Sequence, residues 1–553
     1  MSMRLRFGSL IGALLWCGMV ISCSAVDPGA ALEQALREGQ ARPAAGASTE
    51  PRALGQTTFE TVIQPTPLRG ADGITCREGE ALISEAAVRR IRRLTPDGSL
   101  STLSIPGELE SPTHLAFDDQ GTLWVTDTTG AALWKRTEDG TWTVAGPNLP
   151  NLSGLLAEGS EIYFSQCDRE GSVSRLSASG GPPEKIAAGL GCPGTPGLFE
   201  SMLLVPLGEK GEVWSIDPAT GRRTRLMKGL WSPLAVRRLP NGEPGVVESG
   251  NGRIVGFSSL QVEAPPRPIK QLRAGINDLA ICGSSTLITN AIWGSVERLR
   301  PFGGRPVTLI PGGLLLPQGA TLWGNSLLIA DGLSVKRLQG NELSLVAAHG
   351  ITPGFTTASG IVVGNDQTVY VSAPAQGRVY QFPLRNPAVE EFSGGMDWPT
   401  SLTRLWTGEI AVAETGSGQI LRITSDGLWW PMTYALVSPL ALTSDRERLL
   451  VTEPEGGRII SLREQEAPSS LSSELSRPVG IAQGRGGRTF VVELGRSSLT
   501  QRRSDGGLLR LIDNLPLESS RARYPREVPI VATTEGGLWL VAPGDGRVLH
   551  VQP

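Results

Sequence analysis

One module of about forty residues recurs twelve times along this 553-residue chain. A module that short cannot bury its own apolar face, so neighbouring copies must stack to make a core. The clearest copy is SPTHLAFDDQGTLWVTDTTGAALWKRTEDGTWTVAGPNLP, residues 111–150. It holds four strand signals, at 113–117, 123–126, 132–136 and 142–145, separated by Asp-Gln-Gly, Thr-Thr-Gly and Glu-Asp-Gly. These separators supply the Asx hydrogen bonds and positive φ that tight turns need. Equivalent first strands begin near Asp72, Thr113, Ser153, Thr195, Leu234, Asn277, Gln318, Ala358, Thr400, Pro439, Pro478 and Arg526. Their mean spacing, about 41 residues, is that of a four-stranded propeller blade. Gly (69) and Pro (41) make about a fifth of the chain while 40% is hydrophobic, which suits many short strands and turns rather than disorder.

Several copies share one phrase: GIVVGNDQTVYVSAPAQGRVYQF, SLTRLWTGEIAVAETGSGQILRI and PIVATTEGGLWLVAPGDGRVLHV. These resemble the NHL and SMP-30 type of propeller repeat, over nearly all of residues 57–553. The resemblance implies an all-β chain and says little about activity. Twelve blades in one ring would leave a wide channel, so the expected architecture is two tandem six-bladed β-propellers. An open ring leaves a strand edge exposed. The last repeat shows only three strands, while 58–64 resembles an orphan fourth. The simplest closure gives each ring a strand from the segment before its first blade. The first propeller then spans 57–302 and the second 303–553, with 306–310 completing the twelfth blade. A competing closure pairs 58–64 with the C-terminal blade and interleaves the rings.

The N-terminus carries an address. Arg4 and Arg6 precede an apolar run over 7–21, too short for a bilayer-spanning helix and typical of a signal-peptide core. It ends in Val20-Ile21-Ser22-Cys23, which resembles a bacterial lipobox. That resemblance implies a lipoprotein signal peptide over 1–22, lipidation of Cys23, and, with Ser24 following, outer-membrane sorting in a Gram-negative cell. Anchoring would come from acyl chains at roughly 0.8 kcal/mol per buried methylene. Residues 23–56, rich in Ala, Gly, Glu, Gln and Pro, read as a flexible tether.

Besides Cys17 and Cys23, four cysteines remain, all in the first propeller, and an exported chain meets oxidising conditions. Four thiols allow three connectivities. Repeat position puts Cys167 and Cys192 on the same side of the ring, and Cys76 and Cys282 at matching ends of the first and sixth inner strands. The expected bridges are therefore Cys167–Cys192 and Cys76–Cys282, against the alternative of four buried small apolar side chains.

Charge excludes one class of partner: 51 basic against 54 acidic residues leave −3, without the basic excess of a nucleic-acid binder. Three His in the whole chain exclude a multi-His metal centre. Acids at second-strand ends include Glu414, Glu453 and Glu493 on consecutive blades. They could hold Ca²⁺, but the turns that follow them offer hydrogen bonds that make a structural role the stronger reading. The SMP-30 resemblance implies a sharper alternative: a divalent metal at the channel, hydrolysing a lactone or ester. Its ligands here would be Asp72, Asn277, Asp278 and His114. The family's Glu-Gly-Pro opening and its second-blade Asn motif are missing, and Asp-Gly and Asn-Asp are ordinary turn formers. No G-x-S-x-G nucleophile elbow has a credible His and Asp around it. The preferred reading is a non-catalytic binding or assembly scaffold of the cell envelope, with no assigned cofactor. Its partners would be the membrane, through the lipid, and an envelope protein or glycan. Trp124, Trp134, Trp214 and Trp539 fall on strands and read as inter-blade packing, whereas Trp429, Trp430 and Met432 cluster where a contact patch could form.

Overall fold

The structure, a computed structural model, describes residues 50–553 apart from 169, 300–303, 386, 465 and 518–525. The signal peptide, Cys23 and most of the expected tether lie outside the described residues. Among the described residues the strands form twelve antiparallel sheets, and the chain is all-β in the manner of a β-propeller. No described helix is long and apolar enough to cross a membrane.

The chain divides into two compact units, one of residues 68–312 and one joining 313–553 to the segment ending at Pro67. In the first unit six sheets follow one another, over 74–103, 112–146, 152–188, 197–227, 233–271 and 276–310. Each is a meander of four strands. Their inner strands form a cycle in which Ile276–Cys282 returns to lie beside Ile74–Arg77. The cores sit between consecutive sheets: Leu82, Ile91 and Leu103 of the first pack on Leu115, Leu123 and Val125 of the second. The cycle is sealed in the same way, by Leu287, Val296 and Ile310 of the sixth against Ile74, Ala81 and Ile83 of the first.

In the second unit the sheets lie over 317–348, 361–394, 399–433, 442–472, 478–513 and 530–552, again with inner strands in a cycle. Inner strands approach backbone to backbone, which explains the small residue one step into most of them. A Cβ on Gly360 would stand 2.2 Å from the Thr400 carbonyl oxygen, and one on Gly73 would stand 2.6 Å from that of Thr113.

The closing strands differ from the simplest expectation. Thr58–Ile63 does not complete the sixth sheet; it pairs antiparallel with Val548–Gln552, from Thr58↔Gln552 to Ile63↔Val548. Val307–Ile310 does not complete the twelfth sheet; it pairs with Ser295–Leu299 as the sixth sheet's own fourth strand. The competing closure is the one observed, and the physical reason is supply. The sixth sheet finds its outer strand a few residues downstream, so it has no vacancy. The last sheet has three strands of its own and an open edge on Val548–Gln552. Recruiting a distant strand is tolerable because loop-closure entropy grows only with the logarithm of length. The tether also ends earlier than expected. Arg52–Ala53 adds a fifth strand to the eleventh sheet, with Arg52 opposite Asp513. Just before it, Glu50 pairs with Arg547 at 2.7 Å.

Candidate functional site

The candidate site is the channel mouth of the first unit, where the inner strands converge. A small open pocket there, with room for about one water molecule, is lined by His114, Ser153, Thr195, Leu234 and Asn277, from five successive repeats, and by Cys192. Residues 167–192 are held there by the expected Cys167–Cys192 bridge, Cα atoms 4.3 Å apart. The second expected bridge, Cys76–Cys282, also forms, with Cα atoms 5.4 Å apart, and joins the first inner strand to the sixth. The two disulfides accord with an exported chain.

Two of the expected site residues stand where the repeat otherwise favours a small side chain. His114 and Asp278 occupy the position of Gly73, Gly154 and Ala235, each one step before the residue that pairs across to the middle of the second strand. Asp278 is fully buried, and Arg237 of the fifth sheet grips it with two hydrogen bonds, Nε to Oδ1 and Nη2 to Oδ2, both 2.8 Å. The third guanidinium nitrogen, Nη1, reaches the Leu155 carbonyl of the third sheet at 3.3 Å. The charge pair therefore spans the inside of the ring. A buried charge is tolerable when it is paired and hydrogen-bonded in this way. Beside it His114 is buried, with Nδ1 3.3 Å from the Thr126 hydroxyl. Burial pulls its pKa down to about 4, partly offset by Asp278. The ring is neutral at pH 7.

Asp72 and Asn277 do come together, but through backbone. The Asn277 amide donates to the Asp72 carbonyl oxygen at 2.8 Å, and the Thr289 hydroxyl donates to the same oxygen at 3.0 Å. The Asp72 carboxylate accepts the Ala86 N–H at 2.9 Å. Burial pushes its pKa up to about 7, against that hydrogen bond and with help from the Glu85 charge. Asp278 is engaged by Arg237, the Asn277 nitrogen by a carbonyl and one Asp72 oxygen by an amide. Among the described residues no group of three His, Cys, Asp or Glu is placed to hold a metal ion.

The second-strand acids are also engaged. Each accepts a backbone N–H from the segment that enters its own sheet: Glu414 from Asp397 at 2.6 Å, Glu453 from Val437 at 2.6 Å and Glu493 from Ser476 at 2.8 Å. Ser417 and Arg458 donate to the other carboxylate oxygen of Glu414 and Glu453, while at Glu493 Arg496 shares the oxygen bound by Ser476 and the Thr500 hydroxyl takes the other. Glu85, Asp127, Glu248 and Asp331 repeat the device with Arg69, Ser111, Trp231 and Leu315. Charge-assisted bonds to orphan amides fix the entry to each inner strand. The turn residues were legible in sequence; the bond to the entry segment, sixteen or seventeen residues back, was not.

Arg237 was missed. Its signal was present: at the corresponding step of the other inner strands stand Thr75, Ala116, Leu156, Ala280, Thr321, Val362, Thr403, Thr443, Ala482 and Val531, none charged. Of the tryptophans, Trp124 and Trp134 are buried between sheets as expected, and Trp429 and Trp430 are exposed, whereas Met432 packs into the cluster between the ninth and tenth sheets.

Neither a protein-family model nor a curated protein sequence matches the chain. Solved structures do resemble it remotely. A GH74 enzyme from Niastella koreensis is 12% identical, with 87% of this chain and 90% of that one covered, at a TM-score of 0.38. PorZ, described as a surface component of the type-IX secretion system of Porphyromonas gingivalis, is 11% identical over 89% and 87%, at 0.33. A chain of a nidogen/laminin complex is 19% identical over 38% and 84%, also at 0.33. Likenesses this remote decide nothing about what the chain binds or catalyses.

Proposed function

We propose that this chain is an exported, lipid-anchored protein of the cell envelope whose two tandem six-bladed propellers, of the NHL and SMP-30 type, act as a non-catalytic binding or assembly scaffold. One observation supports the reading: the buried acid inside the first ring, and the carboxylates that recur at the second-strand ends, are engaged in structural bonds. Asp278 is neutralised by Arg237, and the second-strand carboxylates are spent on backbone amides. A general base or metal ligand needs a lone pair free to meet substrate or ion. What the fold presents instead is a rigid ring with loop-lined faces.

The test is metal analysis of the purified protein together with a lactone and ester panel, and chemical cross-linking in intact envelopes. The scaffold reading expects no stoichiometric divalent metal, no turnover, and one dominant cross-linked envelope partner. Turnover that depends on a bound divalent metal and disappears in Asp72→Ala or Asn277→Ala would replace it with the hydrolase reading.

A further inference from the structure

Eleven large apolar side chains stand well exposed among the described residues, and five of them fall within ten positions: Leu428, Trp429, Trp430, Tyr434 and Val437. They lie on or beside Trp429–Thr433, the outermost strand of the ninth sheet, with sequence WWPMT. The repeat supplies its own baseline for this position. Other outermost strands read EKIAA, RTRLM, RPIKQ and EEFSG, charged where they meet water, LSTL and SSLS, short and hydroxyl-bearing, or WTVAG and VTLI, uncharged but with at most one indole. Two adjacent indoles with no charge depart from all of these. The Trp429 indole N–H is held by the Gly394 carbonyl at 3.1 Å, which fixes that ring, while Trp430 is 56% exposed and Tyr434 64%. An apolar surface of this concentration on a soluble protein marks contact.

The edge itself is not the contact. Pro431 sits mid-strand opposite Leu421 and has no N–H to give, so an added strand would meet a gap in its ladder. Recognition must run through side chains. The surroundings select its sign. Between residues 385 and 474 the chain carries thirteen carboxylates against seven guanidiniums and no Lys, a net −6 within a protein of −3 overall. Around the ridge, Asp426 lies in the turn before the strand, and Glu391, paired with Arg378 at 2.8 Å, lies on the strand that holds Trp429. Arg422, opposite Trp430, is shared between Glu409 and Glu464. Such a field repels anionic lipid and means nothing to a neutral sugar. It attracts a cation, and the faces of indole and phenol bind guanidinium and ammonium groups directly.

We propose that this ridge docks a basic, partly apolar segment of a partner protein, whose Arg or Lys side chains lie on Trp430 and Tyr434 within reach of the surrounding carboxylates. The proposal deepens the scaffold reading and rests on it. It is tested on the full-length protein with two synthetic peptides, Ac-GLRLRLRG-NH₂ and its acidic counterpart Ac-GLELELEG-NH₂, by calorimetry and tryptophan fluorescence. The basic peptide should bind at least about tenfold more tightly, weaken as salt is raised, and lose most of its affinity in W430A/Y434A. A second variant, D426N/E391Q/E464Q, keeps the aromatic faces and should lose the salt dependence, which guards against a fold defect in the first. Equal binding of both peptides, or unchanged binding in both variants, overturns the proposal. So does Trp430-dependent binding of phosphatidylglycerol vesicles or of chitotetraose in place of the basic peptide. These outcomes leave the scaffold reading standing, since only metal-dependent turnover removes that.

Discussion

The two units solve one problem, how to shut a ring of sheets, by different means. The first closes on itself: its sixth sheet supplies all four strands, and Cys76–Cys282 locks the first inner strand to the last. The second has no cysteine and cannot finish its last sheet. It borrows Thr58–Ile63 from before the first unit, so that in sequence the first unit is an insertion in the second. Their interiors differ in the same direction. One step into the inner strands, the second unit has Gly319, Gly360, Ser401, Ala441, Gly480 and Pro529, all small, while the first places His114 and Asp278 there. Polar groups stand inside the ring that is covalently locked. The comparison teaches that closure and interior are separable features of one repeat, and that the first unit is self-sufficient where the second is not.

The most damaging way to test this is to remove the borrowed strand. A chain beginning at residue 65 loses Thr58–Ile63, Arg52–Ala53 and the Glu50–Arg547 pair, and leaves Val548–Gln552 as an open edge over the apolar seam of Leu327, Ile329, Val541 and Val548. The second unit should unfold under native conditions while the first persists, which limited proteolysis would read as a resistant fragment near 68–312. Survival of both would break the contrast. Next comes C76S/C282S. A loop of this length is worth about 5 kcal/mol in the chain-entropy account. The loss should fall on the first unit alone, seen as reduced amide protection in 68–312 with 313–553 unchanged. A loss spread over both would mean that the units do not fold independently.

Much of this was legible in advance because turn chemistry and period are local. The repeat count, the four strands per sheet and both disulfides follow from residues within one module or from its phase; the exposure of Trp429 and Trp430, for which blade-edge packing was the stronger reading, does not. Closure was not, because it depends on which of two equally good strands, 58–63 or 307–310, finds the nearer vacancy, a matter of competition between distant partners. The candidate site was half legible. His114 and Asp278 were expected as metal ligands on the SMP-30 resemblance, whereas Asp278 is engaged by Arg237, one sheet from it and three from His114. No spacing rule reports a side chain that crosses a ring.

The finest distinction between the units is electrostatic. In each unit burial shifts one His and one acid in opposite directions. In the first, burial lowers His114 to about 4 and raises Asp72 to about 7. In the second, burial lowers His349 and raises Glu527 to about 8, the latter opposed by a hydrogen bond from Ser401. A carboxyl whose folded pKa is raised binds its proton more tightly in the folded state. Its contribution is complete below the unfolded value near 4 and is lost as pH rises through the folded one. A His whose folded pKa is lowered does the opposite, weakening the fold as pH falls from about 6.5 toward the folded value. Between pH 4 and 6.5 the members of each pair oppose one another. Above pH 7 both His are mostly neutral in either state and Asp72 is already half ionised, so Glu527 supplies most of the change. From pH 7 to 8 the second unit should lose about 1 kcal/mol and the first about a third of that. Glu527→Gln keeps the hydrogen bond to Ser401 and removes the proton, so it should abolish the loss in the second unit and leave the first unchanged. Amide exchange resolved by unit, at pH 7 and 8 with intrinsic rates corrected, reads both. An equal decline in the two units, or one that persists in Glu527→Gln, would place the titrating group elsewhere.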